Sequence, residues 1–493
     1  MDLSTNTGQP EPFTRITVNT LPDDVLLEIF DFYSHADADN QPPFVAGGRN
    51  LPLHADFWHT LVHVCHRWRC IVSASTRRLD LLLLCTERRP VKRNIWPEIP
   101  IVIWATIPKS GRSRSQGVKN IVAALKQHHN RVSRIGFWDI PNSLLKKFAS
   151  MKTSFPTLTH LILRSTDERA PVLLDSFLEG SASRLQALWL QNITFLALGK
   201  LLLSSRDLSN LYLDSIPRSG YISPDALASS LSGLTRLKSL ALTFQSPRYR
   251  AARGNRVPPS LPRVVLPALA ELHFRGDSEY LENMLSRIDT PVHVPLVILF
   301  FNQLLFNTPS LRDLANRAQT YKPSHRAVIC FYSDRVFFIL FQKHGPAESR
   351  VLDLGISCRP SDWQLSSLTQ LIGSSIPPLP ALECLSLFEN CGPLHWQGDI
   401  ENAQWLELLR PFTSVKDLVL SGQLVSLVAT ALGELIGERV TEVLPALQTI
   451  FVEDLRLSGP SPWQKEIGRF VTARQISGRP VVVDYPENTV DDT

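Results

Sequence analysis

Leu185-Gln186-Ala187-Leu188-Trp189-Leu190 and, 23 residues later, Leu208-Ser209-Asn210-Leu211-Tyr212-Leu213 share one pattern, L-x-x-L-x-L. Successive side chains of an extended chain alternate sides. The fourth and sixth residues therefore point one way, and the first tucks the incoming turn into the same core. The pattern recurs from Val132, Leu158, Leu237, Leu269, Leu296, Leu382, Val415 and Leu447, with most short intervals between 23 and 33 residues. The gap from Leu296 to Leu382 has room for two degenerate units, at 326–332 and 351–354. About a dozen strands are expected from such a period.

Helical patterns separate the strands. Pro224-Asp225-Ala226-Leu227-Ala228-Ser229-Ser230-Leu231 carries an acid where a helix begins, and 363–372 is a second example. Strand and helix alternating in register give an α/β chain built as a curved solenoid, with a parallel sheet on the concave side and helices outside. A doubly wound α/β enzyme also alternates in this way, but it requires a glycine-rich phosphate loop after an early strand, and none is visible. Ninth positions read Thr166, Ile193, Ile216, Gln245, Asp277, Asn390, Gln423 and Leu455. With asparagine only at Asn390, an asparagine ladder across the turns is expected to be absent or replaced.

The fifth residue of each pattern points away from the core, giving a row Ile162, Trp189, Tyr212, Ala241, His273, Phe300, Ser386, Val419 and Phe451. Large aromatics on an exposed sheet are good binding anchors, which favours Trp189 and Tyr212. Arg164, Gln191, Asp214 and Arg275, two residues further on, form a polar rim. Arg164, Trp189, Tyr212, His273 and Arg275 are the candidate target-binding residues. A helix or loop of the same chain lying over them is the competing expectation.

Upstream, Leu21-Pro22-Asp23-Asp24-Val25-Leu26-Leu27-Glu28-Ile29-Phe30 predicts a helix starting near Pro22, with Asp23 and Asp24 complementing its dipole. Val25, Leu26, Ile29 and Phe30 are expected on one apolar face. Trp58, Leu61, Cys65, Trp68 and Val72 predict a second helix with a single buried stripe. Its other side carries His59, His63, His66 and Cys70. His59 and His63 have the i, i+4 spacing of a zinc pair, but structural zinc needs four ligands and a polar helix face explains the row as well.

The chain has 493 residues, is 44% apolar, and carries a net charge of +5, which makes no case for nucleic acid as a partner. Charge is asymmetric locally, at −7 over 1–60 and +9 over 61–120, the pattern of solvated faces. Seven cysteines without a C-x-x-C pair read as reduced, buried thiols. Without a secretory leader or an apolar run long enough for a bilayer, a cytoplasmic or nuclear protein with no membrane partner is expected. No G-x-S-x-G, H-E-x-x-H or P-loop occurs, so no enzyme, cofactor or metal is expected. Two basic stretches, 109–114 and 248–256, are solvated loops or a hint of an acidic or phosphorylated target.

The Leu21-Pro22 opening and the Leu61, Val64, Cys65, Trp68 pattern resemble an F-box. The whole layout, including 467–478, is similar to the large fungal, basidiomycete-type class of F-box proteins with degenerate leucine-rich repeats. The resemblance implies a disordered stretch at 1–16, an F-box at 17–75 with a polar insertion at 34–56 longer than the family's usual link, a repeat solenoid at 76–480, and a tail at 481–493. It implies the substrate-recognition subunit of an SCF-type cullin–RING ubiquitin ligase. On that view Leu21, Pro22, Leu26, Ile29, Phe30, Leu61, Val64, Cys65 and Trp68 dock on a Skp-type adaptor, and through it cullin, or shape the core beneath. The repeats hold an unknown protein target. A repeat-based interaction scaffold outside any ligase is the alternative.

Overall fold

The computed structural model describes residues 18–35, 57–79, 81–90, 99–106, 112–151, 153–173, 177–178, 183–247, 263–303, 305–344, 347–358, 361–390, 402–453 and 462–484. Most of the polar insertion (36–56), the basic stretch 248–256 and residues 109–111 lie outside them. The chain forms two compact units, one of 1–139 with 153–158, the other of 140–152 with 159–493.

The first unit opens with helices α1 (Asp23–His35), α2 (Phe57–Val64) and α3 (His66–Ala74). α1 begins as its sequence predicts, with the Pro22 carbonyl accepting from the Leu26 amide at 3.1 Å. The single second helix does not form. Cys65 is extended (φ −156°, ψ 172°) and its sulfur accepts from the Trp68 amide at 3.4 Å, so the thiol caps a new helix. Nor do the four apolar residues of α1 share a face: Leu26 and Phe30 are fully buried, whereas Val25 and Ile29 are exposed. Residues i and i+1 stand 100° apart, wide enough for one row to face the core and the next to face water.

Leu26, Phe30, Trp58, Leu61, Val62, Ile71 and Val72 build a core that continues into Leu79, Leu81 and Ile99. Phe30 and Trp68 meet with ring centroids 4.7 Å apart. The Arg67 guanidinium ties α3 to the start of α1, bonding Asp23 at 2.5 Å and the Leu21 carbonyl at 2.6 Å. Parallel strands β1 (Leu83–Cys85), β2 (Ile101–Thr106) and β3 (Val132–Trp138) follow, with α4 (Arg112–Gln127) crossing between β2 and β3. The Trp104 ring lies where a Cβ on Gly136 would come within 2.3 Å of it, so only glycine fits there.

The second unit starts with α5 (Asn142–Ala149) and is a strand ladder: β4 (His160–Arg164), β5 (Ala187–Gln191), β6 (Asn210–Ile216), β7 (Ser239–Phe244), β8 (Glu271–Gly276), β9 (Leu296–Phe301), β10 (Arg326–Phe331), β11 (Val336–His344), β12 (Ala347–Ser357), β13 (Cys384–Glu389), β14 (Asp417–Ser421), β15 (Thr449–Glu453) and β16 (Val482–Asp484). β4 to β9 are parallel neighbours in chain order, as are β13 to β16. Helices α6 (Leu198–Ser204), α7 (Pro224–Leu231), α8 (Ser278–Leu285), α9 (Pro309–Tyr321), α10 (Ser361–Ser375), α11 (Asn402–Leu409), α12 (Leu424–Gly433) and α13 (Pro462–Ile476) each contact the next in a second layer. The pattern leucines lie between the layers: Leu188, Leu190, Leu211, Leu213, Leu240, Leu242, Leu418 and Leu420 are all buried. α7 occupies the expected residues, with the Ser223 hydroxyl accepting from the Ala226 amide at 3.2 Å.

Two expectations fail between β9 and β13. The pattern does not begin at Leu296, because Leu272 pairs with Leu296 and Phe274 with Ile298, which makes those two the inward residues. Continuous apolar sequence (Leu296 to Phe301) masks the true register, since either alternation satisfies a leucine pattern. The two degenerate parallel units are also replaced by three strands in spatial order β9-β12-β11-β10-β13. β11 is antiparallel to both β10 and β12. A tight turn, with the Tyr332 amide bonded to the Arg335 carbonyl at 2.8 Å, reverses the chain.

At one turn of the array an asparagine at the eighth position bridges neighbouring turns. Asn192 (φ +54°) donates through Nδ2 to the carbonyls of Ser165 and Asp167, at 3.2 and 2.9 Å, and accepts from Gln245 Nε2 at 2.6 Å. At the far end Arg474, buried completely, donates to the carbonyls of Val440, Leu444, Pro445 and Leu447 at 3.0–3.4 Å, its guanidinium 5.8 Å from the Phe470 ring centroid.

Candidate functional site

Two surfaces carry the side chains singled out by sequence. On the first unit, α1 is amphipathic twice over. Its inner row, Leu26 and Phe30, belongs to the core, and an outer row at i, i+4, i+7 and i+8 remains in solvent: Val25 at 41% exposure, Ile29 at 46%, Phe32 at 78% and Tyr33 at 54%. Val64, at the end of α2, is 59% exposed. Pro22 is also exposed, Leu21, Cys65 and Trp68 are half-buried, and Leu61 belongs to the core. The nine residues thus divide into a surface set (Pro22, Ile29, Val64), a supporting set (Leu21, Cys65, Trp68) and a core set (Leu26, Phe30, Leu61). Phe32 and Tyr33 were missed in the sequence, although they continue the Val25–Ile29 spacing by a further turn.

The histidine row does not converge. The His59 ring stacks on Trp58 at 3.9 Å, and His66 lies 3.7 Å from the Cys70 sulfur. Among the described residues no group of three His, Cys, Asp or Glu could hold a metal ion.

On the second unit, the outward face of β4 to β9 brings Trp189, Tyr212 and His273 onto one register row, with Ala241 between the last two. The Trp189 and Tyr212 rings are 5.8 Å apart at 45°. Val297, not Phe300, continues the row, because Val297 pairs with His273 and Phe300 is buried in the core. Arg164 stands beside Gln191 in the next row, well along the sheet from Arg275, whose guanidinium lies 5.7 Å from the centre of the Phe301 ring.

Polar residues fix this row in place. The Tyr212 hydroxyl donates to Glu271 Oε1 at 3.1 Å, and His273 Nε2 is 3.5 Å from Glu271 Oε2. Burial pushes the Tyr212 phenol up, and the nearby Glu271 charge adds to it. Burial also works against the Glu271 carboxylate, but the Ser239, His273 and Tyr212 partners outweigh it and hold its pKa below the ordinary value. Further along the row, Asp353 faces Val297 and Ile339, and burial pushes its carboxyl up despite Arg350 at 3.6 Å. Sequence reasoning missed Glu271 and Asp353. Glu271 could have been found as the third residue of the Leu269 pattern, on the same side as His273. Asp353 could not, because it lies in the stretch where the pattern dissolves.

No helix among the described residues is long and apolar enough to cross a membrane. The six cysteines among the described residues are free thiols.

No family model matches the chain, and no curated protein matches it. Among solved structures it is similar to the leucine-rich repeat-containing protein LegL7 from Legionella pneumophila, at 14% identity over 68% of this chain and 94% of that one. The TM-score is 0.28, too low for that likeness to decide either fold or role.

Proposed function

We propose that this protein is the substrate-recognition subunit of an SCF-type ubiquitin ligase, with α1 to α3 docking on a Skp-type adaptor and the sheet face of the second unit holding a protein target. The observation that carries the proposal is the outer row of α1, Val25, Ile29, Phe32 and Tyr33, left in water on a short helix whose inner row is already committed to a core. Contiguous exposed apolar side chains at helical spacing are the usual mark of a protein interface. Ubiquitin transfer then belongs to other subunits, and this chain contributes proximity by raising the target's effective concentration beside them.

Calorimetry of the full chain against a purified Skp-type adaptor tests it, with Phe32→Asp alongside. Binding by the wild type that Phe32→Asp abolishes, at unchanged thermal stability, supports the ligase role. No binding by the folded wild type sinks it and leaves an interaction scaffold in its place.

A further inference from the structure

β16 is the last strand of its sheet, and among the described residues it pairs on one side only, with β15. The Val482 amide donates inward to the Gln448 carbonyl at 2.8 Å. Alternate residues of a strand offer their amide and carbonyl to opposite sides, so those of Val483 face the open edge. Val482 is 65% exposed and Asp484 is exposed two residues on, with no lysine or bulge in the strand to guard it. A sheet edge in this state accepts a further strand, main-chain bonds supplying the affinity and alternate side chains the choice of partner.

The side chains say what that strand carries. Val482 continues the row of Asp417 and Thr449, and Asp484 continues the row of Val419 and Phe451, with Glu453 exposed one strand further in. Neither Glu453 nor Asp484 has a hydrogen-bond or ion-pair partner among the described residues. Opposite charges across neighbouring strands attract and like charges repel. A second copy of β16 would bring Asp484 against an equally acidic edge, and residues 485–493 hold Glu487, Asp491 and Asp492 with no lysine or arginine. Charge thus disfavours both of the occupants this chain could itself supply. Resting on the proposal that the second unit holds a target, we infer that the free edge of β16 receives an extended segment of that target, with an apolar side chain beside Val482 and a lysine or arginine beside Asp484.

Fluorescence anisotropy with the full chain tests it. The probe is a short capped peptide with lysine at its centre, valine two places to either side and threonine elsewhere, a pattern that reads alike in both strand directions. Its controls carry glutamate at the centre, or N-methylated amides that cannot pair with a strand. The lysine peptide should bind on the order of tenfold tighter than the glutamate one, and the N-methylated one should not bind. Val483→Pro removes only an outward-facing amide and should abolish binding with thermal unfolding unchanged. Asp484→Asn with Glu453→Gln should erase the preference. Equal affinity for the lysine and glutamate peptides overturns the charge selection, and binding that survives N-methylation overturns the edge pairing. No binding of any peptide overturns the inference alone, since the ligase role stands or falls separately on the adaptor calorimetry. A dimer in sedimentation that Val483→Pro dissolves, or lysine-peptide binding that emerges only once residues 486–493 are removed, assigns the edge to this chain itself and overturns the target assignment.

Discussion

The indole Nε1 of Trp58 donates to the carbonyl oxygen of Leu82 at 2.8 Å, in a fully buried setting. One bond thus couples α2 to the segment that leads into β1, and the three helices share a core with the first strands. Trp58→Phe keeps most of the ring volume and leaves the Leu82 carbonyl without this donor. A loss of about 1–3 kcal/mol is expected in chemical denaturation of the full chain, the cost of an unsatisfied buried group.

The two rows of α1 should respond oppositely to substitution. Leu26→Ala empties a fully buried site and should destabilise by about 2–5 kcal/mol. Ile29→Asp and Phe32→Asp alter solvent-facing positions and should leave stability within about 0.5 kcal/mol while removing adaptor binding. Equal destabilisation by both sets would refute the division of the helix into a core row and a docking row.

Arg474 closes the far end of the array by donating to four backbone carbonyls while wholly buried, and burial lowers its pKa. Arg474→Met has a similar length but leaves those acceptors empty, and a loss of about 3 kcal/mol is expected. Hydrogen exchange should localise the effect to the loop 440–447 and its flanking helices. Protection lost evenly across the array would contradict a local closing role.

Burial raises the Asp353 carboxyl, so between the ordinary aspartate range and that raised value the folded protein binds a proton that the unfolded chain has released. Stability from this group therefore falls as pH rises from the ordinary aspartate range through the raised folded value, and the penalty persists at neutral pH. Asp353→Asn should be more stable than the wild type at pH 7, with the difference shrinking in acid. Glu271 has the opposite sign: its lowered folded value adds stability that is lost as pH falls through it, so Glu271→Gln should flatten the acid limb of the stability curve.

Gly136→Ala places a methyl group against the Trp104 ring, closer than real side chains approach. The ring must shift, and a cost of about 1–3 kcal/mol follows from overpacking. Trp104→Ala in the same chain should recover part of it, a coupling readable by a double-mutant cycle.

Much of the array was legible because each pattern leucine does one thing, facing the helices, and its neighbour therefore faces out. That logic places Trp189, Tyr212 and His273 on a common row from the sequence alone, and the strand pairing agrees. It lost force where sequence is apolar on both alternations: Leu296 to Phe301 supports two registers, and only pairing with β8 chooses between them. β11 escaped because antiparallel insertion leaves no periodic trace. The break at Cys65 escaped because a thiol is a weak and uncommon cap, so a stripe running through it looks like one helix. Glu271 was readable from the alternation of the Leu269 pattern, whereas Asp353 lies where the pattern dissolves and matters through partners on neighbouring strands, a property that no single stretch of sequence carries.

The reversal at β11 also bears on how the molecule comes apart. In an unbroken parallel array each repeat touches only the next, and disorder can spread from either end one repeat at a time. Here β10 must lie beside β13 while its successor folds back towards β9, so three strands are interlocked between the parallel ladders. They act as a firebreak. Unzipping that begins at β16 should halt at the hairpin, and under mechanical pulling from the chain ends the array should yield in two separate force events rather than a continuous ramp.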